Sequence, residues 1–239
     1  MYSLTFDIDW APDFILEDIM VRLEGFGLKA TFFATHPASV LEQPPDWLEV
    51  AWHPNFLPNS TQGHSEREIL DTLAEWFPQA KGVRSHSMYW HGALASVYQS
   101  YGLVYDSSLL MPGCPHLQAY QHCGLWRIPV WWNDGLHLHN QVDCSSLPIA
   151  DLESPGLKVF QFHPIHIYLN SNQLRDWHRV KGALELSRGF QFVTKDQLMP
   201  FCKPGNGIGT FFDLLCSWLR ERNSITFCLS ELSDQERSE

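Results

Sequence analysis

Short apolar runs alternate along this chain with stretches whose apolar residues recur at helical spacing. Tyr2–Phe6 reads as an opening strand that ends in the acidic pair Asp7 and Asp9. Phe14, Ile15, Ile19 and Leu23 then share one face of a helix, which Gly25 and Gly27 stop. Ala30–Ala34 and Leu48–Trp52 read as two further buried strands, the second leading into His53-Pro54. Ser65–Phe77 predicts a helix: Ser65 caps it, Glu66 and Glu68 occupy the first turn, and Ile69, Leu70, Leu73 and Trp76 form its apolar face. A short strand at Lys81–Arg84, a helix at Gly92–Tyr101 and strands at Leu103–Tyr105 and Trp126–Trp132 follow. Leu157–Phe162 is the clearest late strand and ends at His163-Pro164. The pattern closes with a helix at about Gln173–Ser187, a strand at Phe190–Val193, a glycine- and proline-rich hinge at Pro204–Gly209 and an amphipathic helix at Thr210–Arg222.

Strands alternating with helices imply an α/β fold, a mostly parallel sheet or barrel. No linker divides the chain, so one domain over residues 1–229 is expected, with residues 230–239 as a polar, frayed tail. A hydrophobic fraction of 44% is enough for a sizeable core. The net charge of −11 lacks the basic footprint of a nucleic-acid binder, and it also argues against an anionic membrane surface as partner. No apolar run approaches the roughly 18 residues that span a bilayer. The first residues do not form a signal peptide, so a cytoplasmic location is expected. The six cysteines show no C-x-x-C spacing, which argues against a zinc knuckle or a disulfide scaffold. Neither a phosphate-binding glycine loop nor a G-x-S-x-G elbow is present; Gly205–Gly209 reads as hinge or helix entry.

Chemistry-bearing residues fall where strands end. Asp7 and Asp9 follow the first strand, His53 the third, Arg84 and His86 a middle one, and His163 and His166 the late one. In parallel α/β barrels the carboxyl ends of the strands converge on one face, where active sites are built. Asp7 and Asp9, two residues apart, would share a side of a continuing strand; side by side they repel unless a cation binds one and leaves the other as a base. The alternative is one aspartate capping the next helix and the other solvated. Two imidazoles and one carboxylate, such as His53 and His64 with an aspartate, suit zinc and similar ions and leave a position open. His163 is suited to protonate a leaving amine, and Arg84 to orient a carboxylate or hold an anion.

The order of these motifs resembles that of the polysaccharide deacetylase family, the NodB-homology or carbohydrate esterase family 4 proteins. Leu4-Thr5-Phe6-Asp7-Ile8-Asp9-Trp10 is similar to the family's T-F-D-D-G motif, and Lys29-Ala30-Thr31-Phe32-Phe33 to its K-A-T-F-F segment. His53-Pro54 matches the end of H-[ST]-x-x-H-P, with Glu49 in place of the first histidine; Arg84-Ser85-His86-Ser87 resembles the third motif and Phe160–Pro164 the fifth. The resemblance implies a distorted (β/α) barrel of about seven strands. It also implies a metal-dependent hydrolase that removes an N-acyl group, expected to be acetyl, from a small carbohydrate or glycoconjugate precursor in surface-polysaccharide metabolism. Asp7 would be the base, Arg84 its orienting partner and His163 the general acid. Asp9, His53 and His64 would hold one divalent ion, Zn²⁺ first and Co²⁺, Ni²⁺ or Mn²⁺ as alternatives. Glu49 and then His86 rank behind His64 as third ligand. His86, Asn55, Trp132 and His166 are read as substrate contacts, and Trp131, Trp132 and Asp134 stand nearest the family's Asp-Trp motif.

Overall fold

Alternation along Tyr2–Asp7 sorts the first strand, β1, into two faces. Phe6 turns outward and packs edge-on against Phe212, whereas Thr5 and Asp7 turn inward onto the buried Arg84. The computed structural model describes residues 1–184, 186 and 189–235. In chain order β1 is followed by α1 (Asp13–Phe26), β2 (Ala30–Ala34), β3 (Leu48–Trp52), α2 (Glu66–Trp76), β4 (Gly82–Val83), α3 (Ala93–Ser100) and β5 (Tyr105–Asp106). Then come β6 (Tyr120–His122), β7 (Leu125–Arg127), β8 (Trp132–Asn133), α4 (Asp134–His139), α5 (Ile149–Glu153) and β9 (Lys158–Phe162). The chain continues with α6 (Pro164–Tyr168), α7 (Arg175–Ala183), α8 (Lys195–Leu198), α9 (Ile208–Glu221) and α10 (Leu229–Gln235).

Nine strands form one sheet in the order β6-β7-β5-β4-β3-β2-β1-β9-β8. Every neighbouring pair is parallel except β6–β7. The sheet curls into a half-barrel, the α/β barrel-like architecture expected of NodB-homology proteins. The strand count exceeds the expected seven because β6 adds an antiparallel partner and the sheet includes two-residue strands, β4, β5 and β8. Trp126–Trp132, expected as one strand, bridges the two flanks of the sheet instead. Ile128 N–H donates to Asp106 O (2.9 Å) beside β5, whereas Trp131 N–H donates to Val159 O (2.9 Å) beside β9. Pro129 between them has no N–H to extend a ladder, and the chain changes neighbours around it.

Parallel strands in step bring their carboxyl ends to one edge. Asp7 lies opposite Phe33, Ala34 opposite Trp52, Trp52 opposite Val83 and Val83 opposite Asp106. Phe6, Phe32, Phe162 and Phe212 fill the core behind this edge, each fully buried. The Gly205–Gly209 run is absorbed by helix packing: a Cβ on Gly207 would meet Asn170 O at 2.1 Å, so only glycine lets the start of α9 approach the end of α6 so closely.

Three further expectations change. Phe190–Val193 is not a strand; Phe190–Phe192 is a 3₁₀ turn whose Phe190 packs on Trp177, and Thr194 behind it closes a capping box with Gln197. The helix expected to reach Ser187 is helical over Arg175–Ala183; positions 185, 187 and 188 lie outside the described residues. The expected tail begins as a helix, α10, with Leu229 and Leu232 buried, while residues 236–239 lie outside the described part. Its first turn closes the amino end of the half-barrel: Ser230 N–H donates to Glu49 and Leu229 N–H to Thr31 Oγ1.

Candidate active site

Strand β1 stops at Asp7, so Asp7 and Asp9 do not lie on one pleat as a continuing strand would have them. Asp9 and Trp10 adopt left-handed backbone conformations (φ 43° and 58°) in a tight turn closed by Ala11 N–H to Ile8 O at 2.7 Å. Neither aspartate caps α1, whose N-cap is Pro12 without a side-chain bond. Across the site Ser87 and Met88 are also left-handed (φ 57° and 56°) just after His86. Non-glycine residues at positive φ cost free energy and cluster at functional sites. Here they carry the side chains on either side of one cluster.

Asp7 is buried at 3% exposure on a floor of donors. Arg84 Nη1 donates to Asp7 Oδ1 at 2.8 Å and to Thr5 Oγ1 at 2.8 Å, and Gln161 Nε2 donates to Asp7 Oδ2. Arg84 is itself pinned by Ser107, through the carbonyl at 3.2 Å and the hydroxyl at 2.9 Å. Burial acts to raise the Asp7 carboxyl, but Arg84, then His53 and His163, outweigh it and hold the group below its usual range.

Asp9 is the hub. Its Oδ1 lies 3.2 Å from His53 Nε2 and 3.1 Å from His86 Nδ1, and its Oδ2 lies 3.7 Å from His163 Nε2. Burial opposes ionisation of Asp9, yet the contacts with His53 and His86 keep it well below the usual carboxylate range. His53 Nδ1 meets Arg84 O at 2.6 Å, so that nitrogen carries a proton, and Nε2 is the ring atom turned toward Asp9. In the neutral ring, the form that ligates metals, Nε2 would turn a lone pair toward a carboxylate oxygen 3.2 Å away, two donor atoms that a cation between them would join. One carboxylate and two imidazoles fit a divalent ion of the zinc type, and the bond from His53 Nδ1–H to a carbonyl is the outer support such ligands carry. Asp9, His53 and His86 are the group that could hold a metal among the described residues, their ligand atoms all within 4.8 Å of one another.

His163 sits at the N-cap of α6 and leans on Asp134, the first residue of α4. Asp134 is fully buried; Oδ1 lies 2.6 Å from His163 Nδ1 and Oδ2 accepts from the His163 backbone N–H at 2.6 Å. Burial acts to lower the imidazole, but Asp134, then Asp9 and Asp7, push it up to about 10. Replacing Asp134 with Asn therefore has a signed consequence. The imidazole loses its largest raising partner, on the side away from Asp9, so the protonated form disappears at lower pH. The alkaline limb of kcat/KM is expected to move down by about 1–3 pH units. A pH–rate profile unchanged by Asp134→Asn would show that His163 does not act as an acid.

The other expected site residues part company here. His64, expected as a metal ligand, is exposed at the start of α2, where its backbone N–H turns to Glu68, and it is outside the cluster. Glu49 sits in the amino half of β3, paired with Thr31 beside it and bonded by Thr31, Tyr105 and Ser230, so it is engaged in the plug by α10. His86, expected mainly as a substrate contact, joins Asp9 instead. His166 is a core residue, 5% exposed against Ser171, and burial brings its pKa down to about 4. Trp132 stacks on Phe211 at 4.8 Å and packs on Phe162, with its indole N–H on His137. Asn55 folds its amide oxygen back onto Leu57 N–H, beginning the loop that Gln62 ties to Thr35 and His53. Trp10, which the sequence left unassigned, lies edge-on to His86 at 5.8 Å and bonds Thr61 through its indole. Asp134, read only as one of the residues nearest the family's Asp-Trp motif, carried no sign in the sequence that His163 is its partner.

A family model for WbmS-like polysaccharide deacetylases matches residues 4–181. The chain is similar to a crystallised Bordetella bronchiseptica protein described as a polysaccharide deacetylase involved in O-antigen biosynthesis, with 32% identity, 91% of this chain and 90% of that one covered, and a TM-score of 0.80. A Mycobacterium smegmatis protein described as a polysaccharide deacetylase shares the fold at 16% identity and a TM-score of 0.56, covering 99% of this chain and 90% of that one. A 4-alpha-glucanotransferase from Thermococcus litoralis shares the fold too, at 13% identity and a TM-score of 0.52, over 98% of this chain and 38% of its own. No curated protein matches the chain. A family match over most of the length and a one-third-identical structural relative together place this chain in the polysaccharide deacetylase family, in its WbmS-like branch.

Proposed function

We propose that the chain is a metal-dependent hydrolase that removes an acetyl group from the nitrogen of an amino sugar in a surface-polysaccharide precursor. The observation that carries this reading is the meeting, at one edge of the sheet, of a gripped carboxylate (Asp7), a carboxylate–imidazole group (Asp9, His53, His86) and an imidazole held by its own carboxylate (His163 with Asp134). Three separate functions of amide hydrolysis then have one candidate each.

Asp9, His53 and His86 would hold the divalent ion, Zn²⁺ being the first choice for this donor set. A divalent ion bound there supplies Lewis acidity, polarising the acyl carbonyl and lowering the pKa of water. Asp7, ionised and oriented by Arg84, accepts the proton of the attacking water. His163, held protonated by Asp134, gives a proton to the departing amine, without which that amine leaves very slowly. Trp10, half-buried beside His86, offers aromatic surface for the sugar face, in place of the buried His166 and the packed Trp132.

The relative involved in O-antigen biosynthesis favours a glycoconjugate precursor over finished polymer as substrate. The test is acetate release from N-acetylglucosamine oligomers and from UDP-linked N-acetylglucosamine, with Zn²⁺, Co²⁺, Ni²⁺ or Mn²⁺ and with a chelator. Turnover with at least one metal, abolished by chelation and restored by the ion, is expected. Turnover that ignores the chelator would overturn the metal assignment, and no acetate from any N-acetylated sugar would overturn the function.

A further inference from the structure

We propose that Gln161 is a positioning residue for the reaction, fixing the rotation of the Asp7 carboxylate; this rests on reading Asp7 as the base. Arg84 secures only one oxygen. It donates to Oδ1, and its remaining nitrogens are spent on Ser107, so it cannot swing to Oδ2. Oδ2 is taken by the Gln161 amide. The parallel register of β1 and β9 puts Gln161 opposite Thr5, one inward position before Asp7, from which a side chain of this length reaches up to the carboxylate.

The other end of the same amide identifies what it is there for. Gln161 is 4% exposed, and its Oε1 has no hydrogen-bond partner among the described residues. Turning the amide over would place that oxygen against Asp7 Oδ2, acceptor against acceptor, so the carboxylate dictates the orientation. A buried acceptor left unpaired is unfavourable, and an apolar side chain of the same length would remove it. Packing alone gives no reason for an amide at this position; donation to Asp7 does.

A carboxylate held at one oxygen can rotate about its Cβ–Cγ bond, whereas one held at both presents its free lone pairs in a single direction. Misplacing a reacting group by about 1 Å costs on the order of 100-fold in rate. Gln161 thereby acts on turnover and leaves the ion and the sugar to other residues.

The experiment compares wild type with Gln161→Leu and Gln161→Met, the second matching the length of glutamine without its polar atoms. It measures kcat and KM for acetate release, Zn²⁺ affinity by calorimetry and the thermal midpoint. In both variants kcat is expected to fall roughly 10–100-fold, with KM within about twofold. Zn²⁺ affinity should hold, and the thermal midpoint, lowered by the donor lost from Asp7 Oδ2 and raised by removal of the unpaired Oε1, should stay above the assay temperature. Wild-type kcat in either folded variant overturns the proposal, as does a loss of kcat that tracks a loss of Zn²⁺ affinity or of folded protein. If wild type itself releases no acetate from any N-acetylated sugar, the reading of Asp7 as base falls and takes Gln161's role with it; an active wild type beside unimpaired variants removes Gln161's role alone.

Discussion

Asp7→Asn is expected to abolish most acetate release, by about 10²–10⁴-fold in kcat, the range that a general base contributes. Zn²⁺ affinity should change little, because the Asp9–His53–His86 group is left intact. The local structure can accommodate the amide. Arg84 Nη1 still finds an oxygen at the Oδ1 position, and the Gln161 side chain can turn over to offer its unpaired Oε1 to the new N–H. The charge is a different matter. Arg84 is fully buried, and a buried cation deprived of its carboxylate costs about 3–5 kcal/mol. Thermal unfolding must therefore be measured beside kcat, at an assay temperature well below the variant's midpoint. A folded, metal-loaded Asp7→Asn enzyme that works at more than about a tenth of the wild-type rate would remove Asp7 from the base role.

Metal binding should discriminate sharply between two histidines. His86→Ala is expected to weaken Zn²⁺ binding by more than the roughly 10–100-fold that outer-shell changes cost, because it removes a direct donor. His64→Ala should leave affinity unchanged, since that side chain is exposed outside the cluster. Calorimetry on the purified chain, with no substrate present, reads this directly. Equal losses in the two variants, or a loss confined to His64→Ala, would show that the cluster seen here is not the one that binds the ion. His86→Ala also touches Trp10, whose ring it meets edge-on, so intrinsic fluorescence is an internal check that the loop kept its shape.

Much of the frame was legible because local signals agreed with the sheet. Ala30–Ala34 and Leu48–Trp52 are strands with the expected bounds, and Ser65 caps α2 by accepting from Glu68 N–H. Asp7, Asp9, His53, Arg84 and His163 could be expected at one edge because each ends a strand or lies just after one, where a parallel sheet delivers its residues to a common side. Reading failed where a residue's role depended on a neighbour far along the chain. Trp126–Trp132 is apolar enough for one strand, but Pro129 and the need to serve both β5 and β9 divide it. His64 and His86 look alike in sequence. What separates them is that the segment carrying His86 is tied to the sheet edge, with His86 N–H on Pro54 O at 2.9 Å and Ser85 N–H on Ser108 Oγ at 2.8 Å, whereas His64 belongs to a solvent-facing helix start.

The alternation of strands and helices, the parallel sheet and the set of strand ends on which chemistry could be placed all follow from periodicity and short-range capping along the chain. Which histidine joins Asp9, that Asp134 stands behind His163 and that Gln161 and Arg84 share the two oxygens of Asp7 emerge only once the chain is folded. Each of those contacts joins residues dozens of positions apart, and their distances depend on register, on the curl of the sheet and on two left-handed turns rather than on any local preference.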